Sequence, residues 1–325
     1  MTRELTYAQA INEAFHEEMA RDPTIIALGE DITGGGPRGV TAGLVAKFGP
    51  ARVLDTPISE GGFIGAAVGM AMTGLRPVAE LRFMDFLWVA ADPIFNQAAK
   101  MRYKSAGHTC VPMVLRTLQG TSRGLGATHS QSLEAICAHI PGLKVVMPAT
   151  PHDAKGLFKT AVRDVDPVLF IEHKRGAYRK GPVPEEPYLV PFGQAAIRRA
   201  GSQLTVVSWS NTLMYTVEAA EQLAAEGYDL EVIDLRTLVP LDLEAILTSV
   251  RKTRRLLIAH EAHRRGGFGA EIAATVQEQL FGQLAQPVVR VGALDVPVPY
   301  SQALENIVLP ETPHIVKAVK EMLAR

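Results

Sequence analysis

Residues 179–191 read Arg179-Lys180-Gly181-Pro182-Val183-Pro184-Glu185-Glu186-Pro187-Tyr188-Leu189-Val190-Pro191. Four prolines in a polar stretch can neither continue a helix nor donate to a central sheet ladder, which is the signature of a linker. The break extends from about Gly176 to Gly193. Upstream of it, short β-rich apolar runs alternate with segments of helical period. Residues 24–28, 111–115, 143–147 and 167–171 read as buried strands, and 7–21, 61–73, 92–105 and 153–163 as helices. Downstream the rhythm resumes, with strands expected at 204–208, 230–235, 256–260 and 288–291. Helices are expected there at 212–226, 241–252, 270–281 and 313–323, with Gly227 placed as a C-cap. Strands separated by helices imply right-handed crossovers and parallel sheets covered on both faces. The fold class is therefore α/β, in two domains spanning 1–185 and 194–325.

Composition agrees with that division. The chain has 325 residues, which at roughly 150 per domain suggests about two domains. It carries 33 basic and 34 acidic side chains, a net charge of −1, so no electrostatic footprint for nucleic acid exists at this scale. Two cysteines, Cys110 and Cys137, exclude a disulfide framework or a cysteine-built zinc site, and both read as small buried hydrophobes. The opening Met1-Thr2-Arg3-Glu4-Leu5 lacks a signal-peptide pattern, and the nearly uncharged run 61–75 is too short to span a bilayer. A soluble, cytoplasmic protein without a membrane partner is expected.

Several motifs weigh differently from their first impression. Gly34, Gly36 and Gly39 match G-x-G-x-x-G, with Asp55 ending the next strand. A dinucleotide fold needs that turn directly after the strand so that the pyrophosphate meets a helix N-terminus. Here residues 30–33 intervene and Pro37 lies inside the motif, which favours a flexible loop. Gly267 and Gly269 give a second partial match in which Ile272 replaces the third glycine. No Walker lysine motif, G-x-S-x-G elbow or H-E-x-x-H spacing occurs.

Two stretches carry more. In Asp55-Thr56-Pro57-Ile58-Ser59-Glu60-Gly61-Gly62-Phe63-Ile64-Gly65, a turn enters a helix of small and apolar residues. Local chemistry alone makes Ser59 an N-cap and Glu60 a first-turn acid. Yet the helix reads as buried all round, and a carboxylate delivered into such surroundings needs a partner. The second stretch, Gly120-Thr121-Ser122-Arg123-Gly124-Leu125-Gly126-Ala127-Thr128-His129-Ser130-Gln131-Ser132, leaves the carboxyl end of the 111–115 strand, where open α/β sheets place ligands. His129 is either a reacting group or a loop histidine held by neighbouring hydroxyls. The aromatic run Phe83-Met84-Asp85-Phe86-Leu87-Trp88 reads as core packing.

Taken together, the chain resembles the β subunits of the thiamine-diphosphate-dependent 2-oxo acid dehydrogenases. The matching motifs are Gly29-Glu30-Asp31, Asp55 to Glu60, Gly74-Leu75-Arg76-Pro77, His129-Ser130-Gln131-Ser132, Pro141 to Val146, Asp153 to Leu157, Asp234-Leu235-Arg236-Thr237 and Pro297-Val298-Pro299-Tyr300. They run in order over essentially the whole chain. The resemblance implies a thiamine-pyrimidine-binding domain followed by a transketolase-type C-terminal domain. It implies that Glu60 hydrogen-bonds the cofactor's aminopyrimidine, with Glu30, Ile58 and Phe86 completing that cofactor site and Phe86 packed on the ring. His129 would act near the thiazolium and the incoming lipoyl group, so Glu60 and His129 are the expected catalytic pair. A structural potassium ion would sit on the backbone carbonyls of Met113, Ala161, Asp164 and Asp166.

The family's Gly-Asp-Gly motif for magnesium occurs nowhere in the chain. The resemblance therefore implies half an active site, completed by an α subunit that holds the magnesium, in an α2β2 tetramer. The implied reaction is decarboxylation of a 2-oxo acid and acyl transfer to lipoamide on a separate acyltransferase core. An acetoin-cleaving β subunit of the same family is the alternative reading. From other classes, a nicotinamide-dependent dehydrogenase using the Gly34 loop and a non-catalytic scaffold subunit remain open.

Overall fold

A computed structural model describes residues 2–324. The elements of the first half run β1 (Thr2–Thr6), α1 (Tyr7–Arg21), β2 (Ile25–Gly29), α2 (Leu44–Phe48), β3 (Val53–Asp55), α3 (Glu60–Met72) and β4 (Arg76–Leu81). They continue with α4 (Met101–Lys104), β5 (Val114–Gln119), α5 (Glu134–Ala138), β6 (Lys144–Val146), α6 (Pro151–Arg163), β7 (Val168–His173) and β8 (Lys180–Pro184). The second half runs β9 (Ala196–Arg199), β10 (Leu204–Ser208), α7 (Thr212–Ala224), β11 (Leu230–Asp234), β12 (Thr237–Val239) and α8 (Leu243–Thr253). It closes with β13 (Leu256–His263), α9 (Gly269–Gln279), β14 (Val289–Ala293), α10 (Gln302–Val308) and α11 (Thr312–Leu323).

Two compact units result. One comprises the chain up to Gln119 together with Ile136–Phe192; the other comprises Gly120–Ala135 and everything from Gly193 onward. The sequence reading kept 120–135 in the first domain. The structure groups that excursion, which carries His129, with the second unit, because the side chains that hold it lie there.

In the first unit the strands lie in the order β6-β7-β5-β4-β2-β3, all parallel. Their central members are buried along their whole length, as continuous apolar runs require when helices cover both faces. α1 and α6 pack together on one face, where the Phe15 and Phe158 rings lie 4.6 Å apart and Phe158 meets Phe170 edge-on at 5.6 Å. Ion pairs join the same two helices: the buried Lys155 reaches Glu13 and, at 2.8 Å, Glu17, while Lys159 also reaches Glu17. The second unit is a 5-stranded sheet ordered β14-β13-β10-β11-β9, parallel except for the edge strand β9.

The proline-rich stretch is less of a spacer than its composition suggests. β8 pairs antiparallel with β1, Pro182 opposite Glu4 and Pro184 opposite Thr2. A two-stranded ribbon leaves room for prolines whose missing N–H would have faced away from the partner. Beyond it, Tyr188 and Val190 pack on α6, where Gly156 leaves the space: a Cβ there would sit 2.4 Å from Val190 Cγ2. The Tyr188 hydroxyl donates to the His152 carbonyl at 2.8 Å, and Thr160 Oγ1 donates to the Val190 carbonyl at 2.7 Å. The 92–105 helix is also broken, into a π-turn at Pro93–Ala98 and the short α4.

Candidate functional site

Glu60 opens α3, and the local chain explains its place. Ser59 precedes it in the N-cap position but does not cap the helix: its hydroxyl donates to the Pro57 carbonyl at 3.2 Å. The capping explanation for this pair therefore covers half of it at most. The Glu60 residue is 8% exposed, and among the described residues its carboxylate has neither a hydrogen-bond donor nor a cation. The charge that interacts with it is another acid's. Glu30, in the turn after β2, has its carboxyl pushed up by burial and by the Glu60 charge. Glu60 is buried and Glu30 half-buried, and the Arg82 charge offsets only part of the upward push on Glu30.

The rest of the pyrimidine-site expectation lies around the start of α3. Gly61 lets that first turn lie against the 84–89 segment, since a Cβ there would come within 3.1 Å of the Val89 carbonyl oxygen. That segment is a 3₁₀ turn, Met84–Trp88, carrying Phe86 half-buried with its ring 6.1 Å from Phe83. The Lys174 ammonium lies 4.5 Å from the Phe83 ring centre and 3.3 Å from Asp85, so the aromatic run is anchored by a buried charge pair. Ile58 is 79% exposed, an apolar side chain presented outward rather than packed. α3 itself corrects the expectation of burial all round. Phe63, Ile64, Ala67, Val68 and Ala71 are buried, whereas Gly62, Ala66 and Gly69 form an exposed face of small residues.

His129 sits half-buried in the excursion between β5 and α5. Its Nδ1 lies 3.0 Å from Thr128 Oγ1, and its backbone N–H donates to the Gly126 carbonyl. Two buried carboxylates of the second unit hold this loop. Glu261, on β13, accepts from the Thr121 N–H at 3.0 Å. Glu305, on α10, accepts from the Thr121 hydroxyl at 2.8 Å and from the Gly124 N–H at 3.0 Å. Arg123 adds a hydrogen bond to Asn306 at 2.7 Å and an ion pair with Glu311 at 3.3 Å. The Tyr300 ring lies over Gly126, whose φ of +72° and crowded Cβ position admit only glycine. Sequence reasoning missed Glu261, Glu305 and Tyr300. The Pro297-Val298-Pro299-Tyr300 motif was the one local signal, and nothing in it names the loop it touches.

Of the four carbonyls expected to take potassium, three already have protein donors. Met113 O accepts from the Val168 N–H at 3.0 Å, and Ala161 O from the Asp164 N–H at 3.2 Å. Asp164 O accepts from Arg76 at 2.7 Å. The Asp164 side chain pairs with Lys144 at 2.6 Å, and Asp166 pairs with Arg102 at 3.1 Å. Any potassium bound there would use second lone pairs, beside cations the protein supplies itself.

The Gly34 loop lacks the geometry of a dinucleotide site. After β2 the chain passes through turns into a single 3₁₀ turn, Pro37–Gly39, with Arg38 at φ 63°. Asp55, which would meet a ribose, instead accepts the Thr33 N–H at 2.9 Å and its hydroxyl. Beneath the loop lies a buried charge ladder across three strands. Arg116 pairs with Glu80 and with Glu172, and burial drives the Glu80 carboxyl up to about 7 despite that arginine.

Comparison with known proteins agrees with this layout. Residues 3–179 match the transketolase pyrimidine-binding domain and residues 193–315 the transketolase C-terminal domain. The acetoin:2,6-dichlorophenolindophenol oxidoreductase β subunit of Cupriavidus necator is 46% identical, over 99% of this chain and 98% of that one. The 2-oxoisovalerate dehydrogenase β subunit of Bacillus subtilis is 43% identical, over 98% of both. The pyruvate dehydrogenase E1 β subunit of Porphyra purpurea is 44% identical, over 97% of this chain and 95% of that one. A solved structure titled as a split-gene transketolase, inactive β4 tetramer, superimposes with a TM-score of 0.80 at 25% identity, covering 98% of this chain and 99% of that one. With both domains matched and relatives aligned end to end, the chain belongs to the β-subunit family of the thiamine-diphosphate-dependent 2-oxo acid and acetoin dehydrogenases.

Proposed function

We propose that this chain supplies the pyrimidine half of a thiamine-diphosphate site and that an α subunit, in an α2β2 tetramer, supplies the magnesium and diphosphate half. The observation that carries this reading is the Glu60 carboxylate, buried at a helix start and unpartnered among the described residues. A pyrimidine ring nitrogen is the kind of partner such a group needs. Phe86, on the 84–88 turn, would offer a ring face to the pyrimidine, and Ile58 an exposed apolar contact. The exposed small-residue face of α3 lets another chain approach closely.

Thiamine diphosphate, when bound, supplies an electron sink for the carbon beside a carbonyl. The chain's own part is proton handling and positioning. Glu60 would hold a proton against the ring nitrogen, with Glu30 setting the charge around it. His129 would give or take a proton where the acyl group leaves for lipoamide, carried on a separate acyltransferase core. The substrate is a 2-oxo acid; acetoin cleavage is the second reading, supported by β subunits named for acetoin at 46% and 44% identity. Potassium on the carbonyls of Met113, Ala161, Asp164 and Asp166 remains part of the proposal, and a higher Tm in potassium than in tetramethylammonium chloride is its test.

The test of function is co-purification with the α chain, followed by a panel of pyruvate, branched-chain 2-oxo acids and acetoin with dichlorophenolindophenol as acceptor. Thiamine-diphosphate-dependent dye reduction on one of these is expected. No turnover on any of them, in a tetramer shown to bind cofactor, contradicts the reading.

A further inference from the structure

The second unit carries a cleft of about 570 Å³ that the proposed reaction does not use. It is built where the turns after β13 and before α11 meet the end of β14. Gly292 makes that meeting possible: a Cβ there would stand 2.9 Å from the Ala262 carbonyl oxygen and 3.2 Å from the Arg264 nitrogen. Its lining includes Arg264, Arg265, Arg290 and His314; Asp295 is the one carboxylate in it. Val291, Ala293, Leu294, Ile307, Val308 and Leu309 contribute apolar surface to the same lining.

The charges do not cancel. Arg265 pairs with Asp295 at 2.9 Å, with both side chains largely exposed. Arg290 donates to the Arg264 carbonyl at 2.8 Å but meets no carboxylate among the described residues. The Arg264 side chain has neither a hydrogen bond nor an ion pair there. Three guanidinium groups against one carboxylate leave an excess of positive charge in one cleft of a chain whose net charge is −1. Arginine forks match phosphate oxygens two at a time, which a carboxylate-poor cleft leaves them free to do. The volume lies in the range of small-molecule sites, and the apolar surface suits a ring or hydrocarbon body.

We propose that this cleft binds a phosphate-bearing organic anion of nucleotide size, distinct from the thiamine diphosphate site. Phosphate oxygens take the Arg264 and Arg290 forks, and the organic body lies along Leu294 and Ile307, which are 52% and 60% exposed in the chain. Arg265 and Asp295 also line the pocket beside Thr128 in the His129 loop, but Arg264, Arg290, Leu294 and Ile307, to which the ligand is assigned, do not, so the proposal does not depend on the assigned reaction.

The experiment titrates the full chain, and separately the cofactor-saturated tetramer, with ADP, inorganic pyrophosphate and adenosine by calorimetry. ADP is expected to bind once per chain in both preparations at about millimolar concentration or tighter. Pyrophosphate displaces it, and adenosine produces no heat. Arg264→Gln with Arg290→Gln is expected to weaken ADP about 10-fold or more, while loss of the Arg290 hydrogen bond lowers the thermal midpoint only slightly. Arg290→Lys, which keeps charge but loses the fork, falls between. Equal ADP affinity in the double variant and the parent, or adenosine binding as well as ADP, overturns the proposal. So does binding that disappears on tetramer assembly, which makes the cleft a protein contact.

Discussion

At the scale of single residues, the account rests on groups whose surroundings differ from those of surface side chains. Glu80 is the clearest case for pH. Its folded-state carboxyl is raised from 4.5 to about 7 by burial, Arg116 being shared with Glu172. Between those values the folded protein holds a proton that the unfolded chain has released. This group therefore stabilises the fold below about 4.5, and its contribution falls as pH rises to about 7. Glu80→Gln should remove that slope, so the parent's Tm advantage over the variant should shrink across the same window. A constant difference in melting curves from pH 4.5 to 7.5 would show that Glu80 titrates normally. His129→Ala should act on transfer rather than on binding. Reductive acyl transfer should fall about 10²–10⁴-fold, the usual worth of general acid–base assistance, with cofactor affinity nearly unchanged. Normal lipoyl-dependent turnover in this variant would reduce His129 to a loop residue.

At the scale of elements, the His129 loop is positioned by contacts that its own sequence does not reveal. Gly126→Ala places a methyl group 2.3 Å from the Tyr300 ring at a φ that other residues avoid. The loop must shift, and displacements near 1 Å can cost about 10²-fold in rate. Turnover in the reconstituted enzyme should fall toward that level with only a modest loss in Tm; unchanged turnover would show that the loop tolerates the shift. The long periodic elements were legible. Tyr7–Arg21 is a helix over the residues its period marks, and β10, β11 and β13 lie on their apolar runs. The ribbon of β1 and β8 was not, because prolines that bar a central strand are admissible at an edge. Glu60 stood out because an acid heads an apolar helix. Glu261 and Glu305 did not, since each reads as an ordinary glutamate until Thr121 and Gly124, more than a hundred residues away, come into view.

At the scale of the whole molecule, the second unit does more than occupy the end of the chain. It includes Gly120–Ala135 and supplies the carboxylates that hold that loop. Deleting the residues after Pro187 should abolish the α2β2 tetramer. It should also free the 120–135 loop, making Arg123 a site of rapid tryptic cleavage. An active tetramer formed from the truncated chain and the α subunit would contradict both expectations. The chain alone, even with excess magnesium, should show no thiamine-diphosphate-dependent turnover. The central claim is that Glu60 carries the proton that activates the cofactor, and exchange of the cofactor's C2 proton for deuterium reads that step without waiting for substrate. In the reconstituted tetramer Glu60→Gln keeps the shape and a hydrogen-bonding group but cannot transfer the proton, so exchange should slow by about 10²-fold or more with the tetramer intact. Exchange as fast as in the parent would contradict the account and leave Glu60 as an ordinary first-turn acid.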